Sequence, residues 1–281
     1  MSAVGTVGDS LRAATPWLRQ VRANVQATLA TLMRAPRRAL VWPSARQLAL
    51  LAAGGAVLVL AAMVQIDGWS LAHVRRLPAG VIQPFDRFTD LGKGGFFLWP
   101  LGLVLVGLAM LDTPAMPRFA RLVLAAWSVR LGFVFTAIAV PSLFSTIIKR
   151  LIGRARPFVG SDPFLYAPFG WREDYASLPS GHATTAFAAL VAIGAIFPQA
   201  RALMWIYAVL IAFSRVVVTA HHPSDVVAGA LVGATGAWLV RQWFAARGLG
   251  FAVTADGTVE PKPGPGLRRI IKALARRLHA A

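Results

Sequence analysis

Two histidines, one carboxylate and several cations stand between Lys149 and Asp225 at the margins of long apolar runs, where hydropathy alone would place ordinary flanking residues. They form three clusters. The first runs from Lys149 through Arg150 and Arg154 to Arg156-Pro157. The second is Pro179-Ser180-Gly181-His182. The third spans Ser214-Arg215, His221 and Asp225. Cations that hold oxyanions, an imidazole that can attack and a carboxylate that can orient it are the parts needed to bind a phosphate and break a bond to it.

Each cluster has its own logic. Lys149 and Arg156 are seven residues apart, two helical turns, so a helix ending at Arg156-Pro157 would point both to one side as oxyanion ligands. Arg150 and Arg154 read as interfacial cations that snorkel to water. Ser180 and Gly181 open an apolar run, and a helix start with free N–H groups and a glycine is an anion site. His182 follows in the first turn, where an apolar span gains nothing from an imidazole. Arg215 needs an anionic partner at its depth. His221 and Asp225 are four apart, with Pro223 suited to a first helical turn. A helical turn there would let the carboxylate take an imidazole N–H, fix the tautomer and free the other nitrogen to attack. His222, His73 and His279 read as interfacial or incidental.

These clusters must be positioned by helices in a membrane. The chain is 57% hydrophobic and 14% charged, too apolar for an ordinary soluble domain. Its net charge of +18 sits in two tails and short loops rather than on a soluble domain, which argues against nucleic acid. There is no cysteine, so thiolate chemistry and disulfides are excluded. His, His and Asp would suit a metal, but the spacings are not those of zinc sites and the surrounding cations would repel a divalent ion. No metal and no cofactor is expected.

The fold class predicted is all-α and polytopic, with six transmembrane spans near residues 48–65, 96–111, 131–148, 183–197, 202–218 and 226–244. Arg130 is expected at the inner edge of the third span, and residues 67–93 as an interfacial polar segment. Gly229, Gly233 and Gly236 would let the last span approach its neighbours closely. Three regions follow: a basic N-terminal tail (1–47), a membrane core (48–245) and a basic C-terminal tail (246–281). The first tail has no apolar core long enough for a cleavable signal peptide. Its Leu11, Leu18, Val21, Val25, Leu29 and Leu32 suit either a helix on the membrane surface or a solvated tail. The second tail opens with a Gly/Pro-rich linker and ends in a basic amphipathic helix over 267–278. Most of the 29 Lys and Arg lie in the tails and the loops on their side, which predicts cytoplasmic termini in the cell (inner) membrane. All three clusters then face the extracytoplasmic side, beside the aromatic loop of Phe158, Phe164, Tyr166, Phe169 and Trp171.

Lys149 with Arg156-Pro157, the Pro179–His182 tetrad and Ser214-Arg215 with His221 and Asp225 together resemble the three-part signature of the type 2 phosphatidic acid phosphatase and vanadium haloperoxidase superfamily. The resemblance covers roughly residues 48–245. It implies a metal-independent lipid phosphatase with a helical core. His221 would be the nucleophile that becomes phosphohistidine, Asp225 would orient it, and His182 would protonate the leaving group and then activate water. Lys149, Arg156 and Arg215, with the Ser180 and Gly181 amides, would hold the phosphate oxygens. The substrate would be a lipid-linked phosphate or diphosphate: undecaprenyl diphosphate, phosphatidylglycerol phosphate, phosphatidate and lipid A phosphates all fit. The alternatives are a vanadium-dependent haloperoxidase, disfavoured by six spans, and a non-catalytic lipid-phosphate binder or transporter, which would need only the cations. Membrane lipids are the other partners expected; the sequence leaves the oligomeric state open.

Overall fold

The computed structural model describes residues 3–36, 43–111, 116–160, 162–264 and 266. Among them the helices are α1 (Ala3–Met33), α2 (Ala45–Gln65), α3 (Asp67–Val74), α4 (Ala79–Thr89), α5 (Gly94–Ala109), α6 (Arg118–Ile152), α7 (Gly181–Ile196), α8 (Arg201–Val217) and α9 (Pro223–Ala246). A hairpin pairs β1 (Phe251–Val253) with β2 (Val259–Pro261), Phe251 opposite Pro261. Among the described residues the protein is thus a helical membrane protein with one small β-ribbon.

Among the described residues five helical stretches are long and apolar enough to cross a membrane: Ala45–Gln65, Ala79–Ala109, Arg118–Ile152, Pro198–Val217 and Pro223–Ala246. They carry outward-facing apolar side chains, among them Leu51, Val57 and Leu60 on α2 and Leu203, Ile206 and Val209 on α8. In water such a belt would be a liability; against lipid it is the expected surface. The remaining expected span, the fourth, near residues 183–197, corresponds to α7, an apolar helix of 16 residues. At 1.5 Å per residue it is shorter than the others. Most of its residues are buried by protein, including Ala183, Ala186, Ala188 and Ala189.

Three expectations need correction. Residues 67–93, expected as an interfacial segment, fold into α3, α4 and a 3-10 turn at Asp90–Gly92, and α4 and α5 together form one apolar stretch. The extended backbone of Lys93 separates them. The helix that carries the third expected span begins well before Leu131, at Arg118, so Arg130 lies inside α6 rather than at its start. It is buried, and its guanidinium donates to the carbonyls of Ala126 and Lys262. The start of the C-terminal tail is not only a linker. Asp256 and Gly257, the latter at φ +84°, turn the chain between β1 and β2, and Phe251 is buried. The amphipathic helix expected over 267–278 lies outside the described residues.

The chain divides into two compact units. One contains α1, the stretch from Pro100 to Gly132 and the chain from Phe244 onward. There α1 is helical through Met33, and the Asn24 amide donates to the carbonyls of Ala109, the last residue of α5, and Leu111 just beyond it. Of the α1 residues expected on one face, Leu18, Val25 and Leu29 are exposed.

The other unit, up to Trp99 and from Phe133 to Trp243, holds all three clusters. Its centre is α7, packed on α8 through Ala186, Leu190, Ala208 and Ile211. Two glycines bring α9 against α7. A Cβ on Gly229 would lie 2.4 Å from the Ser180 carbonyl oxygen, and one on Gly233 would lie 2.2 Å from that of Thr184. No side chain fits at either place, so the small residues foreseen on the last helix set the distance between the second and third clusters.

Candidate active site

The end of α6, the start of α7, the end of α8 and the start of α9 meet at one end of this unit. Arg215, His221 and Lys149 lie within electrostatic reach of His182, and Arg215 and Arg156 within reach of His221. The three clusters are therefore one site.

The first cluster is built differently from the two-turn helix expected. α6 stops at Ile152, and Gly153 turns the chain at φ +64° with its N–H on the Lys149 carbonyl. A Cβ there would sit 2.0 Å from the Ala167 carbonyl oxygen, so glycine is required twice over. The chain then runs extended. Arg154 bridges to Tyr166, Ala155 donates to Leu165, and Arg156 donates through its backbone to Asp174. Lys149 and Arg156 still come within electrostatic reach of one another. The Arg156 Nε donates to the Glu173 carbonyl at 3.0 Å, and burial holds its pKa below the ordinary arginine value against the pull of Glu173.

The flanking arginines are not idle. Arg150 donates to the Trp171 carbonyl and pairs with Glu173, fastening the aromatic loop to α6. Arg154, expected to snorkel, is fully buried. Its Nη1 donates to Asp225 Oδ1 at 2.7 Å and Ser224 Oγ at 2.6 Å; its Nη2 donates to Asp67 Oδ2 at 2.7 Å and the Pro163 carbonyl at 2.8 Å. Burial works against its charge, but Asp225 and Asp67 together raise its pKa above the ordinary value. The helix ends before Arg154, so its side chain turns inward rather than along the helix to water.

The second cluster presents unpaired polar atoms. Ser180 Oγ and His182 Nε2 are buried without a protein partner. Ser180 precedes α7 but makes no side-chain cap. Its amide donates to the Asp225 carbonyl at 2.9 Å, so the expected use of that amide for phosphate is corrected: it is already occupied. Gly181 opens the helix as a first-turn N–H donor, and Lys149 Nζ would lie 3.1 Å from a Cβ placed on it. Glycine thus leaves room for a cation beside a helix start.

In the third cluster Arg215 is buried, with Nη1 on Thr89 Oγ1 at 2.8 Å and Nε unpaired. Ser214 Oγ shares the same threonine at 2.9 Å. His221 is not within a helical turn, because α9 starts only at Pro223. Asp225, as the third residue of α9, instead folds back to accept the His222 N–H at 2.9 Å, half of a capping box. His221 Nδ1 consequently lies 3.7 Å from Asp225 Oδ2, too far for the direct hydrogen bond expected. Ser177 stands between them: its hydroxyl donates to Asp225 Oδ2 at 2.6 Å and lies 3.4 Å from His221 Nδ1. Burial holds the His221 imidazole down to about 4, against the upward pull of Asp225. His222, expected at the interface, is also buried, and burial lowers its pKa.

Sequence reasoning missed Asp67, Thr89, Ser177 and Ser224. Asp67 alone left a signal, as one of only 11 acidic residues placed directly after an apolar span. Ser177 and Ser224 look like any loop or helix-start serines.

Ser180 Oγ, His182 Nε2 and Arg215 Nε, buried and unpaired, thus gather with the buried His221 at one end of this unit. Residues 130–249, the segment that carries all three clusters, match the PAP2 superfamily. It is 39% identical over 128 residues to the lipid A 1-phosphatase of Rhizobium johnstonii, covering 45% of this chain and 52% of that protein. It is 31% identical over 153 residues to the lipid A 4'-phosphatase of Bacteroides thetaiotaomicron, covering 51% and 66%. The chain thus spans about half to two thirds of the length of these curated relatives. Among solved structures, the transmembrane PAP2-type phosphatidylglycerolphosphate phosphatase of Bacillus subtilis aligns with a TM-score of 0.49 at 21% identity, over 68% of this chain and 92% of that one.

Proposed function

We propose that this protein is a membrane lipid phosphatase that transfers the phosphoryl group of a lipid-linked phosphate or diphosphate to His221 and then to water. One observation carries the reading. Ser180 Oγ, His182 Nε2 and Arg215 Nε are all buried and unpaired at the same end of the bundle as His221. Unsatisfied buried polar atoms are costly, and a tetrahedral oxyanion would satisfy them together.

In this reaction Lys149, Arg156 and Arg215 neutralise the phosphate oxygens with the Gly181 N–H and the Ser180 hydroxyl. His221 carries its proton on Nδ1, toward Ser177 and Asp225, so the Nε2 lone pair attacks phosphorus. The P–O bond to the lipid breaks, and His182 gives its proton to the leaving oxygen. His182 then takes a proton from water, whose oxygen attacks phosphorus. The P–N bond breaks, releasing phosphate. In this scheme the positive charge comes from Lys149, Arg156 and Arg215, and Arg154 lies between Asp67 and Asp225.

The names of the relatives make the lipid A phosphates the leading substrates, ahead of undecaprenyl diphosphate, phosphatidylglycerol phosphate and phosphatidate. With six spans, α7 included, and a positive-inside bias, the termini are cytoplasmic and the site faces the extracytoplasmic side. The exposed Phe158, Phe164, Phe169 and Trp171 suit headgroup depth there. The test is phosphate release from a panel of these four lipids by purified protein in detergent, with chelator and with vanadate. Release from at least one lipid, persisting in chelator and blocked by vanadate, is expected. Activity lost in chelator and restored by zinc or magnesium would replace this mechanism with a metal-dependent one; no release from any lipid would leave the binder reading.

A further inference from the structure

We propose that Asp67 is a positioning residue for the reaction at His221, acting through Arg154 and Asp225. The inference rests on the phosphatase reading and adds to it a residue outside all three sequence clusters. Asp67 is fully buried at the start of α3. Its Oδ1 accepts the Ser224 N–H at 3.0 Å, and its Oδ2 accepts the Ser224 hydroxyl at 2.5 Å and Arg154 Nη2 at 2.7 Å. It therefore fixes the first turn of α9 from 157 residues away, and the next residue of that turn is Asp225.

The charges give the arrangement its purpose. Arg154 lies between two carboxylates, Asp67 and Asp225. Arg154 with Asp225 alone would be a neutral pair. The second carboxylate leaves one net negative charge in a buried network beside His221. When Nε2 attacks phosphorus, the imidazole ring gains positive charge, and a fixed negative field stabilises it most where water is excluded. Stability alone is a poor reason for such a triad, since buried ion pairs seldom outperform apolar packing. Other charged and titratable groups also face His221: Asp225 from α9, Arg215 from α8, His182 from α7 and Arg156 from the loop. Of the carboxylates in contact with Arg154, Asp67 is the one that does not also reach the imidazole.

The experiment uses the full chain in detergent with a soluble aryl phosphate, reading kcat, KM, the acid limb of the pH profile and the melting temperature. Asp67→Asn keeps the shape and removes the charge. It is expected to lower kcat about ten-fold with KM nearly unchanged, and to move the acid limb down by roughly half a pH unit, because a nearby negative charge favours the protonated imidazole. Ser224→Ala breaks bonds to both Asp67 and Arg154 but leaves every charge in place, so it should lower the melting temperature without moving the acid limb. Asp67→Asn with wild-type kcat and acid limb, whatever its melting temperature, would overturn the proposal. If Asp67→Asn does not fold, Asp67→Glu decides: a wild-type acid limb with reduced kcat supports the proposal, and a displaced limb overturns it. Wild-type protein inactive on both the aryl phosphate and the lipids would remove the phosphatase reading itself, and this inference with it.

Discussion

The Ser177 hydroxyl donates to Asp225 Oδ2 at 2.6 Å and so occupies the place where a histidine–aspartate pair would ordinarily close. His221 Nδ1 is 3.4 Å from that hydroxyl and 3.7 Å from the carboxylate. The imidazole is oriented through a serine, and the carboxylate is held in turn by Arg154 and the His222 N–H. Ser177→Ala removes this bridge and leaves a buried carboxylate short of one donor, at a cost of about 1–3 kcal/mol. Its kcat on an aryl phosphate should fall about ten-fold or more, with binding little changed. A wild-type kcat in the folded variant would mean that His221 is oriented without the serine.

The two histidines should separate by leaving group. His221→Ala is expected to abolish turnover of every substrate. His182→Ala should cost lipid substrates about 10²–10⁴-fold, the usual worth of general acid catalysis. An aryl phosphate, whose oxygen leaves readily, should retain its first step. Phosphohistidine should then accumulate, detectable after an alkaline quench. Equal losses for both substrate types in the His182 variant would reassign the roles.

Burial keeps His221 neutral far below the usual histidine range, at about 4 against 6.5. The nucleophile is active when neutral, so phosphoenzyme formation should persist as pH falls through 6.5 and fail only toward 4. The same shift makes its contribution to stability complete above about 6.5 and lost as pH falls through about 4, because the unfolded chain takes up the proton first. A formation rate that halves near pH 6.5 would mean an exposed or differently paired histidine.

Gly233→Ala should be among the most disruptive single-methyl changes in the protein. The new Cβ would meet the Thr184 carbonyl oxygen at 2.2 Å, so α9 must move away from α7. Overpacking of this kind costs about 1–3 kcal/mol, and the movement would separate Asp225 and His221 from His182. A lower melting temperature with a lower kcat is expected. Gly54→Ala, where no atom lies within 4 Å of the added carbon, is the control and should change neither.

The site should face outward. A reporter active only outside the cytoplasm is expected to be on when fused after Pro157 and off when fused after Gly266. The reverse pattern would turn the protein over and move the substrate to the cytoplasmic leaflet.

The sequence by itself determined the helical membrane class and singled out most of the residues that the fold brings together as a candidate site. Lys149, Ser180, Gly181, His182, Arg215, His221 and Asp225 could be recognised because apolar spans leave few polar residues to choose among, and those few stood in three tight groups. The glycines of α9 were legible for the same reason, since small residues recurring on one apolar helix have few other uses. The tertiary structure decided what local spacing could not encode. Whether Arg154 reaches water or turns inward depends on where α6 stops, and that depends on how Gly153 meets Ala167. Asp67 became part of the site only when folding carried α3 against the start of α9, and Ser177 only when the loop beside Arg154 closed onto Asp225. A buried charge takes its role from partners distant in the chain, and periodicity within one segment carries no record of them.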